Sequence, residues 1–172
     1  MGLDIRPAGP GDADAIAGLH AASWRSAYRG VFSDAYLDGN ILEERRRHWR
    51  ECLDTRPRPD RGVLIAVEAD DDPVGSICIC LDAEPAWGPL LDNLHVRPDR
   101  KGGGIGRRLV EAGAAWVKAR GPYTQWHLWV IESNTPARRV YEHLGWVARD
   151  RGTHVAPDGT EYAVWRYTRR LA

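Results

Sequence analysis

The chain of 172 residues has one phenylalanine, one methionine and three cysteines, and it has no excess of either charge, since 24 Lys and Arg are matched by 24 Asp and Glu. Each shortage excludes something. Cys52, Cys78 and Cys80 are an odd set in a mid-sized chain, which argues against a disulfide framework and for a reducing compartment. Zero net charge leaves no global field to attract polyanions, so neither nucleic acid nor an anionic membrane is expected as a partner. No apolar run approaches the roughly 18 residues needed to cross a bilayer, and the amino terminus lacks a basic segment followed by an apolar one. Arg6 stands where a myristoylation signal wants Ser or Thr. Together these absences point to the cytoplasm.

What remains is enough for one core. Hydrophobic residues make up 43% and charged residues 28%, well away from the disordered regime, and the length fits a single domain over 1–172. Leu3–Arg6 reads as an opening strand, and Asp12 offers an N-cap for a helix with Ile16, Leu19 and Ser23 on one face. Ser33 is a second cap before helical spacing that runs through Leu53 with a break near Gly39 and Asn40, so two helices are expected after the first strand. Glu43 and Arg47, then Arg47 and Glu51, stand four apart, and the basic run Arg45-Arg46-Arg47 reads as a solvated, self-paired face.

Thr55 to Gly62 is loop. Val63–Glu68 and Val74–Leu81 form a hairpin about the turn at Asp70 to Pro73, and Leu90–Val96 is a further strand ended by Pro98. Gly104–Arg120 is helical, Gln125–Ile131 a strand, Pro136–Leu144 a short helix, and Trp146–Arg149 with Tyr162–Tyr167 a closing hairpin. Cys78 and Cys80 share a strand face, but no second Cys or His pair at matching spacing completes a metal site, so they read as buried filler. Six histidines without HExxH spacing do not make one either, and His95 and His127 are expected to pack or hydrogen-bond on their strands.

The segment from Val96 to Leu109 carries the most chemistry. A strand end feeds Lys101-Gly102-Gly103-Gly104-Ile105-Gly106-Arg107, which opens a helix. Residues without side chains let main-chain N–H groups approach an oxyanion, and the helix start adds a partial positive charge of about half a unit. Diphosphate binding follows. A dinucleotide fingerprint from Gly102 fails where Arg107 replaces the third glycine, and a P-loop fails for want of Gly-Lys-Ser/Thr. The plain alternative is a flexible turn with capping glycines.

A second group changes the balance. Asn134, Ala137, Tyr141, Gly145 and Trp146 follow the next strand, and the two groups together resemble the GCN5-related N-acetyltransferase (GNAT) superfamily. Its signature is a strand ending in Val-x-Pro, then Arg or Gln-x-x-Gly-x-Gly or Ala, and later Asn-x-x-Ala-x-x-x-Tyr-x-x-x-Gly-Phe. Lys101 departs from the usual Arg or Gln, and Trp146 from the common Phe. The resemblance is close from Leu90 to Trp146. It implies a mixed α/β fold, with one mostly antiparallel sheet of about seven strands, about four flanking helices and a split between the fourth and fifth strands.

The resemblance also implies an acetyl-CoA site in that split and no metal. Amides of Gly102, Gly103, Gly104, Ile105 and Gly106 would hold the pyrophosphate, with Lys101 and Arg107 beside them in the cofactor site. Backbone groups around Leu94, His95 and Val96 would pair with the pantetheine arm as an added strand. Asn134 would hydrogen-bond that arm, with a plain N-cap as its alternative role, and Arg138 or Arg139 would reach a phosphate. The reaction implied is direct transfer of acetyl to a primary amine of a small molecule or peptide, without a covalent enzyme intermediate. Tyr141 would protonate the departing thiolate, with a core tyrosine as the alternative.

A lysine-like amine has a pKa near 10.4, so holding it deprotonated at neutral pH costs about 4 to 5 kcal/mol and a base matters. Strand alternation puts Asp92 on the face of Leu94 and Val96 and turns Asn93 and His95 away. Asp92 is therefore the candidate base and Glu84 the reserve. Among eight tryptophans, Trp116, Trp126, Trp129 and Trp165 read as structural, whereas Trp24, Tyr28 and Trp87 flank the acceptor side. Exposed aromatics near the termini are compatible with a homodimer. A non-catalytic acyl-CoA sensor is the competing class.

Overall fold

A computed structural model describes residues 2–54 and 58–171. The expected loop from Thr55 lies outside the described residues at Thr55, Arg56 and Pro57. Strand β1 (Asp4–Pro7) is followed by helices α1 (Ala13–Ala27), α2 (Asp34–Asp38) and α3 (Ile41–Cys52). Strands β2 (Arg61–Val67), β3 (Pro73–Cys80) and β4 (Leu90–Val96) lead to α4 (Ile105–Lys118), then β5 (Gln125–Ile131) and α5 (Thr135–His143). The chain closes with β6 (Val147–Val155) and β7 (Glu161–Arg170). Among the described residues the α-helices number five where about four are expected, since the break at Gly39–Asn40 separates α2 from α3. Ser33 caps α2 as expected, its Oγ accepting from Tyr36 N–H at 3.3 Å. Asp12 precedes α1 but does not cap it. Its carboxylate accepts from Gly9 N–H at 2.8 Å and pairs with Arg6 at 2.9 Å, joining the helix start to β1.

The seven strands form one sheet in the order β1-β2-β3-β4-β5-β7-β6, antiparallel except between β4 and β5. That parallel pair is in register only at Leu90 and His127, so the two strands part beyond it. Gly88, just before β4, fixes the junction. Its φ of +82° and the 2.3 Å that would separate a Cβ from Gln125 O leave room for no other residue.

Each sheet face has its own core. Leu109, Val110 and Val117 of α4 pack with Ile77, Ile79, Leu91 and Trp126, and Ala137, Tyr141 and Leu144 of α5 lie against the same cluster. On the other face Ile16 and Ala17 of α1 and Trp49 of α3 cover Val63, Ile65 and Cys78. A third cluster joins Phe32, Leu37 and Ile41 to Ile131 and Val164 beside the split. No helix among the described residues is long and apolar enough to cross a membrane.

Candidate active-site cleft

The gap between β4 and β5 opens into a cleft of about 1140 Å³, with walls from α1, α3, β4, the glycine loop and α5. On one wall the chain leaves β4 and enters α4 through Gly102 (φ +84°) and Gly104 (φ +80°), left-handed positions that favour glycine. Among the described residues no amide from Lys101 to Arg107 is engaged by a backbone acceptor, and the first to find one is Arg108 N–H, on Gly104 O at 3.1 Å. This is a row of free donors at a helix start, the arrangement that suits a diphosphate. Lys101, Gly102, Gly104, Ile105, Gly106 and Arg107 line the cleft, whereas Gly103 does not. A Cβ at Gly106 would lie 3.6 Å from Val96 Cγ2, an ordinary van der Waals contact, so packing alone does not require glycine there.

Asn134, Arg139 and Tyr141 face the same cleft from α5. Asn134 does cap the helix, Oδ1 accepting from Ala137 N–H at 3.3 Å. Tyr141 packs edge-on to Trp146, makes no hydrogen bond among the described residues, and has its hydroxyl pKa pushed well up by burial, with the nearby Tyr28 adding to the effect. It is a fully protonated donor at neutral pH. Arg138 does not line the cleft. Its guanidinium is spent on Tyr167 Oη at 3.1 Å and Glu132 O at 3.2 Å.

Asp92 sits otherwise than strict alternation requires. Cys78 faces Asn93 and Ile79 faces Leu91, which leaves Asp92 in a β-bulge. The bulge turns its carboxylate away from the face of Leu91, Leu94 and Ile77 and onto the α1–α3 face, where Asn93 Nδ2 donates to it at 3.1 Å. There it lies with Cys78 and Cys80, one ligand atom of each within 4.8 Å of the others. The Arg61 guanidinium, which donates to Cys52 Sγ at 3.0 Å, already supplies positive charge to this group.

His95 shares that face and stacks on His20 with ring centroids 4.3 Å apart. Burial pushes the His95 imidazole down to about 3, and both its nitrogens lack partners. His20 Nδ1 accepts from Trp49 Nε1 at 3.1 Å, and burial also lowers the His20 pKa.

Glu84, the reserve base, is already committed. Burial raises its pKa, but hydrogen bonds from Trp129 Nε1 (2.9 Å) and Arg166 (2.8 Å) outweigh this and hold the carboxyl below its usual value. Arg166 is stacked between Trp87 and Trp129, at 4.3 and 4.1 Å from the ring centroids. Trp87 therefore buttresses Arg166 and does not line the cleft, while Trp129, expected to be structural, does.

Trp24 and Tyr28 line the cleft and pack on Phe32, which contacts Tyr162 in turn. The sequence reading missed His20, Phe32, Arg45, His48, His154 and Tyr162 in these walls. One signal was there to find, because His20, Trp24 and Tyr28 recur every four residues and so share one helical face.

The architecture is an open α/β sheet with a helix start on one wall of its cleft whose amides have no backbone acceptors among the described residues. The chain belongs to the acetyltransferase (GNAT) family, whose sequence profile matches residues 21–146. It is 29% identical over 158 residues to streptothricin acetyltransferase of Streptomyces lavendulae, covering 83% of this chain and 80% of that one. It is also 27% identical over 151 residues to mycothiol acetyltransferase of Streptomyces coelicolor, covering 87% of this chain but 44% of the relative, so it spans less than half of that protein's length. The fold matches that of PaiA N-acetyltransferase from Thermoplasma acidophilum, solved in complex with coenzyme A, with a TM-score of 0.77 at 21% identity and 99% of both chains covered.

Proposed function

We propose that this chain is an acetyl-CoA-dependent N-acetyltransferase that moves acetyl to a primary amine by direct attack. The observation that carries the reading is the uninterrupted row of free amides from Lys101 to Arg107, set in one cleft with an unpartnered, protonated Tyr141 hydroxyl. Amides of Gly102, Gly104, Ile105 and Gly106 hold the diphosphate, and Lys101, Arg107 and Arg139 add charge around it. Main-chain groups of Leu94, His95 and Val96 lie on the side of β4 that β5 leaves unpaired, where an extended pantetheine arm fits as an added strand. The side-chain N–H₂ of Asn134 has no acceptor among the described residues and is available to that arm.

Tyr141 gives its proton to the departing thiolate. Asp92, exposed on its bulge and in no salt bridge among the described residues, takes the amine proton directly or through water. His95 is too weak a base for that task. Trp24 and Tyr28 wall the acceptor end. The relatives' names point to small-molecule acceptors, and the reading adopts that class, in a cytoplasmic enzyme.

The test is transfer of label from acetyl-CoA across a mixed amine library, with products identified by mass. Acetylated amines formed at enzyme-dependent rates are expected. Tight CoA binding with no product from any amine would reject transfer in favour of an acyl-CoA sensor.

A further inference from the structure

We infer that the acceptor amine carries a carboxylate and that Arg45 is the group that receives it, an inference that rests on the reading of the cleft as an N-acetyltransferase site. Sequence spacing puts Arg45 in a solvated, self-paired run, but only part of that run behaves so. Arg46 pairs with Glu43, three residues away, and Arg50 reaches Asp14 at 2.8 Å. Neither of the pairs expected for Arg47 forms among the described residues. Arg45 turns the other way and lines the cleft, its Cζ 5.1 Å from the Trp24 ring centroid.

That guanidinium makes no ion pair among the described residues, and its Nε is buried without a hydrogen-bond partner. Glu44 accepts from Tyr36 Oη at 2.9 Å, and Glu84 is held by Arg166 and Trp129. His20 and His95 beside it are kept neutral by burial, so they neither supply a counter-charge nor compete for one. A permanently charged, planar fork lying over an indole ring with no anionic partner can turn two of its N–H groups to a ligand, and a carboxylate is the anion that matches them with two parallel hydrogen bonds. Asp92 brings the complementary charge to the same cleft from β4. An acceptor with an ammonium for Asp92 and a carboxylate for Arg45 fits both. Free amino acids and other small amino-carboxylates have that form. The amino terminus of a peptide does not, because its nearest carboxyl is tied up as an amide.

The test uses the purified full chain at saturating acetyl-CoA with matched amines, namely tyrosine and tyramine, histidine and histamine, lysine and cadaverine, and β-alanine beside 2-aminoethylphosphonate. At least one acid is expected to exceed its decarboxylated partner by about 10-fold or more in kcat/KM. R45Q should bring that ratio to within about twofold, chiefly through the acceptor KM, with the KM for acetyl-CoA unchanged, and R45E should invert it. Circular dichroism and Tm check that the variants fold.

The inference is overturned if no pair is discriminated, if the preference survives in R45Q, if R45Q raises the KM for acetyl-CoA instead, or if the phosphonate is preferred. Should no amine react, the transferase reading fails separately. Calorimetry of the same pairs on CoA-loaded protein then decides, since a carboxylate preference that R45Q abolishes upholds the role of Arg45 and equal binding rejects it.

Discussion

On the proposed donor wall of the cleft the groups are main-chain amides from Lys101 to Arg107, presented by two left-handed glycines and the first turn of α4. On the proposed acceptor wall they are the side chains of His20, Trp24, Tyr28 and Arg45, which line the cleft and are drawn from two helices that meet only in the folded protein. An amide row persists as long as the local backbone does, whereas a wall of side chains changes with each substitution. If the two walls work independently, variants on one should leave the other's ligand unaffected.

The largest effect is expected from Tyr141→Phe, which removes one hydroxyl from the donor side. Its kcat should fall by about 100-fold or more, as loss of a general acid does, with the Kd for CoA unchanged by calorimetry. Gly104→Val comes next. It puts a branched side chain at φ +80° among the free amides and should weaken CoA binding by roughly 30-fold while leaving the acceptor KM alone. Trp24→Leu tests the opposite wall and should raise the acceptor KM by about fivefold at constant Kd for CoA. A variant that moved both constants together would break the proposed independence.

The smallest effect concerns pH. The imidazole of His95 has a folded pKa of about 3 against an ordinary 6.5, so between these values the unfolded chain binds the extra proton. The stability this burial allows is complete above about pH 6.5 and is lost as pH falls toward 3, and His20 acts in the same direction. Lowering the pH from 7.5 to 5 should reduce Tm by roughly 5 °C, and His95→Asn should flatten that limb.

The donor wall was legible in the sequence because its signal is local. Glycines in a strand–loop–helix junction, followed by Asn134, Ala137 and Tyr141, need no knowledge of distant packing, and the mostly antiparallel seven-stranded sheet and its split came with them. The acceptor wall was not. Arg45 read as a surface cation because spacing along α3 reveals its own face but not which neighbour covers it. Asp92 was assigned a face by alternation, and one inserted residue in β4 reversed it. Trp87 and Arg138 had the right chemistry at the right places in the chain, but tertiary partners claimed them first, Arg166 in one case and Tyr167 in the other.

The most direct test is to titrate uniformly ¹⁵N-labelled protein with CoA and follow every assigned amide. The account predicts that the largest shifts fall on Gly102 to Arg107 and that ATP at equal concentration does not reproduce them. Shifts centred elsewhere, or none at saturating CoA, would contradict it.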